Sequence, residues 1–123
     1  MDERRTARVS ETVREEISEI LGFEMDDPRL ASVVVTDVQV SPDGRHATVR
    51  IGIRGDQREQ RKALEALDRA SGFLRRELAS RLSLRHVPEL HFDFDRAPES
   101  ESRIDLLLKR ARRTRGRDDQ GRA

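Results

Sequence analysis

Apolar positions change period several times along the chain, and each change marks an element. Between residues 6 and 22, Val9, Val13, Ile17, Ile20 and Leu21 recur at spacings that define one face of an amphipathic helix. Gly22 supplies a stop signal, and residues 23–30, with Pro28 among them, read as an irregular connector. Residues 32–40, SVVVTDVQV, are rich in β-branched side chains and predict a strand. Ser41-Pro42-Asp43-Gly44 carries turn chemistry, because proline presets φ and Asp-Gly tolerates a tight reversal. Residues 46–54 then alternate, with Ala47, Val49, Ile51 and Ile53 on one face and His46, Thr48, Arg50, Gly52 and Arg54 on the other. The two segments predict a hairpin of half-buried strands.

Helical spacing returns over 57–83 through Ala63, Leu67, Ala70, Leu74, Leu78 and Leu82. Gly72 interrupts this run at a cost of about 1 kcal/mol relative to alanine, which predicts two helices meeting at an elbow around Ala70-Ser71-Gly72. Residues 89–95 alternate once more, Leu90, Phe92 and Phe94 against His91, Asp93 and Asp95. Pro98 is placed to open a last helix with Ile104, Leu107, Leu108 and Ala111 on one side. The order is α-β-β-α-α-β with a C-terminal helix. The expected fold is therefore α+β, a single domain over residues 1–112 whose three-stranded sheet is covered by helices on one face. Residues 113–123 have no apolar periodicity and read as a disordered basic tail.

Composition narrows the function classes. Only 34% of the 123 residues are hydrophobic and 40% are charged, so the core is small. The absence of cysteine excludes disulfides, thiolate catalysis and cysteine zinc sites, and fits a reducing cytoplasm. The N-terminal segment has no apolar signal core, and no apolar run approaches the length of a membrane span. The formal charge of +1 conceals a segregation of signs. From Lys109 onward there are seven basic residues against two acidic ones. Residues 15–27 hold six acids and no base, whereas residues 69–86 hold five arginines against Glu77 alone. A polyanion bound on one side and a solvated, salt-bridged surface both account for this pattern.

Arg4, Arg5 and Arg8 precede the glutamates of the first helix, an order that opposes the helix dipole and is not explained by helix stability. At the expected elbow, a helix starting near Gly72 would offer free backbone N–H groups and a positive dipole end to a phosphate. Ala70, Ser71 and Gly72 allow close approach there, and Arg69, Arg75 and Arg76 flank it, with Arg81 and Arg85 beyond. A glycine that merely lets two helices cross is the alternative. The chain has no Trp or Tyr, so nucleic-acid contact is expected mainly at backbone and shape. Phosphate-loop, dinucleotide, nucleophile-elbow and metalloprotease motifs are missing. His91, Asp93 and Asp95 share a strand face but read as a solvated polar surface, and neither aspartate has apolar surroundings to raise its pKa. No catalytic residue, metal ligand or cofactor is assigned.

Several separated segments together resemble the ribosome-binding factor A family. They are Asp27-Pro28-Arg29-Leu30, Val38-Gln39-Val40-Ser41-Pro42-Asp43, Ala70-Ser71-Gly72-Phe73-Leu74-Arg75-Arg76-Glu77-Leu78, and Leu84-Arg85-His86-Val87-Pro88-Glu89-Leu90. Phe92, Arg103-Ile104 and Leu107-Leu108 complete a likeness over residues 4–108. The resemblance implies a type II KH domain in which Ala-x-Gly stands where other KH domains carry a G-x-x-G loop. It implies a monomeric, non-enzymatic cytoplasmic protein that binds 16S rRNA and 30S subunits. Late maturation of the subunit, processing of the 16S rRNA 5′ end, cold adaptation and a link to assembly GTPases follow from the same likeness. His46 and Arg50 depart from it, standing where aromatic residues are common, and Asp95-Arg96-Ala97 lacks a serine frequent in the family. A generic nucleic-acid-binding module and a stress-related ribosome-associated protein are the competing classes.

Overall fold

The structure is a computed structural model that describes residues 3–23, 25, 27–53, 55–95 and 107. Helix α1 spans Glu3–Phe23 and is followed by a short 3₁₀ turn at Pro28–Leu30. Strands β1 (Val33–Val40) and β2 (His46–Ile53) form the hairpin, α2 spans Gln57–Arg81, and β3 spans Glu89–Phe94. The sheet order is β1-β2-β3, with β1 antiparallel to β2 and β2 parallel to β3. The parallel pair needs a crossover, and α2 supplies it.

Helix α1 packs on β1, while α2 packs on β3 and against α1. Val13, Ile17, Ile20 and Leu21 from α1 meet Leu67, Leu74 and Leu78 from α2 over Val35, Val38, Val49, Ile51 and Leu90 of the sheet. The α+β class and the sheet with one helix-covered face agree with the expectation.

Strand β1 departs from simple alternation. Val33, Val35, Val38 and Val40 all join the core, although a regular strand would turn 33 and 35 to one face and 38 and 40 to the other. A β-bulge resolves the conflict. Val35 pairs with Ile51 and Asp37 with Arg50, leaving Thr36 as the extra residue. The buried Thr36 hydroxyl donates to the Arg50 carbonyl at 3.3 Å. Ser10 of α1 fastens the edge of this strand, its hydroxyl oxygen accepting the Val40 N–H at 3.0 Å and its hydrogen going to the Thr6 carbonyl at 2.7 Å.

The hairpin turn is built by its side chains. Asp43 accepts from the Ser41 hydroxyl at 2.6 Å and from the Arg45 N–H at 3.0 Å, and Gly44 takes a φ of 75° that disfavours other residues.

The expected elbow is corrected. Helix α2 runs without a break through Ala70, Ser71 and Gly72, so the described order is α-β-β-α-β. Its start is capped by Asp56, which accepts the Glu59 N–H at 2.9 Å. One glycine weakens a helix by about 1 kcal/mol, and the buried Ala63, Ala66, Leu67, Leu74 and Leu78 on both sides of Gly72 outweigh that. Helical spacing continues across the glycine, and the apolar face it defines prevails over the local propensity.

The last helix expected after Pro98 and the tail over 113–123 fall outside the described residues, Leu107 excepted. Leu107 is helical and lines a small cavity of about 150 Å³ with Arg14, Ser18, Leu21, Gly22 and Val33–Val35.

Candidate nucleic-acid interface

One end of the sheet carries an open concavity of about 820 Å³. The hairpin turn contributes Asp43, Gly44 and Arg45, the start of β2 His46, and α2 Arg75. Arg85, His86 and Val87 enter from the α2–β3 connector, and Glu89 from the start of β3. A backbone bond from the Glu89 N–H to the Arg45 carbonyl, 2.8 Å, ties the turn to β3. Arg75 Nη2 donates to the Val87 carbonyl at 3.3 Å, which orients the guanidinium while its side chain stays exposed. A smaller cleft shares Asp43, Gly44, Arg85 and His86 and adds Arg5, Val9, Leu84 and Pro88.

Three arginines from three separate elements thus converge on one hollow, a geometry suited to a bent phosphate backbone. The hydrogen bond from the Ser41 hydroxyl, then the Arg45 N–H and the nearby positive charges, hold the Asp43 carboxyl below its usual range. The turn therefore keeps its internal bonds over the neutral range.

The sequence-predicted residues separate into groups. Arg75 and Arg85 line the concavity and Arg5 the adjoining cleft. Arg4 and Arg8 are exposed on α1. Arg69, Gly72 and Arg76 lie along the exposed side of α2, with half-buried Ala70 and Ser71 beside them. Among the described residues, a Cβ at Gly72 would meet only Arg76 Nη1, at 3.5 Å, so they do not force a glycine there by packing. The Ser71 hydroxyl is turned to the Asp68 carbonyl at 2.8 Å. With no helix starting there, the backbone N–H groups around Gly72 lie within the continuous helix. They are not free to receive a phosphate in the way a helix start would be.

Arg81 has a different setting. Its guanidinium lies 3.1 Å from Glu16, 3.7 Å from Glu19 and 3.8 Å from Glu77, bridging the two helices. Part of the acidic run on α1 is therefore neutralised from within the fold. Likewise, Arg14 is paired with Glu11, whose hydrogen bond raises the Arg14 pKa.

Sequence reasoning missed Arg45 and the histidines of the concavity. Arg45 directly follows the turn glycine, and that position was the available signal. His46, Glu89 and His91 also converge on the open face of the sheet. His91 and Asp93 are exposed, in keeping with the solvated polar face expected there, and parallel pairing adds His46 and Glu89 beside His91 by setting His46 opposite Glu89.

The fold, two helices over a three-stranded sheet in the order β1-β2-β3, is that of the KH-like class. Residues 5–108 match the sequence profile of the ribosome-binding factor A family. Ribosome-binding factor A of Solibacter usitatus is 65% identical over 119 residues, covering 97% of both chains. That of Thermomicrobium roseum is 48% identical over 94% of this chain and 89% of its own. The crystal structure of ribosome-binding factor A from Thermus thermophilus superposes with a TM-score of 0.68 at 30% identity, covering 75% of this chain and 97% of that one. A Thermus thermophilus ribosome-binding factor A model fitted into a cryo-EM map of a 30S complex gives a TM-score of 0.56 at 32% identity, over 76% and 93%. The chain belongs to the ribosome-binding factor A family.

Proposed function

We propose that the protein binds the small ribosomal subunit by docking the concavity at the end of its sheet onto the backbone of 16S rRNA. The observation that carries this reading is the convergence of Arg45, Arg75 and Arg85, with Arg5 in the adjoining cleft. The 30S complex of the Thermus relative supports the choice of target. The protein acts as a monomeric, non-catalytic factor in late subunit maturation, including formation of the 16S rRNA 5′ end, and its release involves assembly GTPases. Its site is cytoplasmic and its need is greatest in the cold. Arg4, Arg8, Arg69 and Arg76 are secondary contacts on neighbouring helix surfaces.

The test is co-sedimentation with purified small subunits across a salt series. Wild type should bind with a steep salt dependence, since each neutralised phosphate releases counterions. Arg75→Ala with Arg85→Ala should keep the melting midpoint and lower the magnitude of the logarithmic salt slope by about 2. A double variant with unchanged affinity and slope would remove the concavity as the docking surface.

A further inference from the structure

We propose that His46, Glu89 and His91 form a binding site for a zinc-like divalent cation where β2 and β3 begin. The three side chains are exposed on the sheet face that the helices leave open, and one ligand atom from each lies within 4.8 Å of the others. Two nitrogens and a carboxylate oxygen are a donor set that zinc accepts, and three protein ligands leave its fourth position for water.

Strand geometry does the assembling. His46 pairs directly with Glu89, and His91 follows Glu89 by two positions, so all three project to one side. The backbone beneath is held firmly. The His46 carbonyl accepts the Ser41 N–H at 2.8 Å, its N–H donates to the Ser41 hydroxyl at 3.1 Å, and the Glu89 N–H donates to the Arg45 carbonyl at 2.8 Å. Rigid elements of this kind suit a metal site better than loops do.

His46 Nδ1 and His91 Nε2 are 3.0 Å apart. Zinc–nitrogen bonds of about 2.0–2.1 Å at a tetrahedral angle separate two nitrogens by about 3.3 Å, so the imidazole pair stands within a few tenths of an ångström of a zinc-binding spacing, and the Glu89 carboxylate, within 4.8 Å, closes in on the ion. The two rings are tilted by 34° with centroids 5.2 Å apart. A direct hydrogen bond between the imidazoles accounts for their distance, and the Glu89 carboxylate beside them completes the donor set. Asp43, Arg45, Arg75, Arg85 and His86 line the concavity beside the cluster. These arginines oppose a cation, which sets the expected affinity at the modest end for a site with two imidazoles and a carboxylate. Bound metal would clasp β2 to β3 where the hairpin turn meets β3.

The experiment is calorimetric titration of the full, untagged chain with Zn²⁺, and with Co²⁺ to read coordination from its visible absorption. One equivalent should bind, and Zn²⁺ should raise the melting midpoint. His46→Ala, His91→Ala and Glu89→Gln should each weaken binding roughly 10-fold or more and abolish the thermal shift. His86→Ala, which changes the histidine outside the cluster, should bind like wild type. All three cluster residues are exposed, and the near-isosteric Glu89→Gln keeps the test decisive even if a histidine variant fails to fold. No saturable binding to wild type would overturn the proposal. So would equal affinity in the cluster variants, or loss of binding in His86→Ala.

Discussion

Arg75 and Arg81 stand six residues apart on the same helix, yet the fold uses them in different ways. Arg81 reaches across to α1, where Glu16, Glu19 and its own helix neighbour Glu77 surround it. Arg75 turns toward the α2–β3 connector and lines the hollow with Arg45, Arg85, two histidines, Glu89 and Asp43, whose carboxylate is already held by the Ser41 hydroxyl and the Arg45 N–H. One arginine joins two helices and the other borders a hollow open to a polyanion. A cation is available for recognition only where the fold has not already supplied its counter-charge. Counting arginines along residues 69–86 therefore overstates the binding surface.

The largest effect should come from the core beneath both regions. Leu74 is fully buried beside Arg75, and Leu74→Ala should cost about 2–5 kcal/mol, read from denaturant unfolding. That change should erode stability and subunit binding together, erasing the contrast. The two arginines should then separate. Adding Arg45→Ala to the Arg75→Ala, Arg85→Ala pair should weaken subunit affinity further with no fall in the melting midpoint. Arg81→Ala should do the reverse, costing up to about 1 kcal/mol of stability, because Glu16, Glu19 and Glu77 are partly solvated, while affinity stays near wild type. Equal binding loss in both would break the comparison.

Gly72→Ala sharpens it further. The helix is continuous and the added methyl group meets only a guanidinium end at 3.5 Å, so stability should rise by about 0.5–1 kcal/mol. Unchanged affinity would confirm that recognition lies at the concavity rather than along the Gly72 stripe.

The smallest effect belongs to Asp43. Its folded-state pKa lies below the ordinary value of 3.8, so its contribution is present above that value and is lost as pH falls through the depressed one. Asp43→Asn should lower the melting midpoint slightly at neutral pH, and the difference should vanish in strong acid.

Much of this fold was legible in the residues. Alternation in 46–54 and 89–95, helical spacing in 6–22 and 57–83, and the Ser-Pro-Asp-Gly turn located every described α-helix and strand to within a few residues. These signals are local, since helix and strand periods depend only on which side of an element faces water. The candidate site was legible in part: Arg75, Arg85 and Arg5 were named, without a reason to separate them from Arg81. The bulge at Thr36 left a trace in the change of phase between Val35 and Val38, because the two pairs of valines cannot share a face otherwise.

Residue order along the chain specifies the set of elements, the apolar face of each and the segregation of charge. Tertiary structure alone decided that α2 continues through Gly72, because long-range burial outweighed a local propensity cost. Packing of α1 on α2 gave Arg81 its glutamates. Parallel pairing of β2 with β3 placed His46, a residue 43 positions from Glu89 in the chain, directly beside it. Residue spacing states which way a side chain points, but its neighbour across a sheet or a helix interface is set by how distant segments dock, and charge pairing depends on that neighbour.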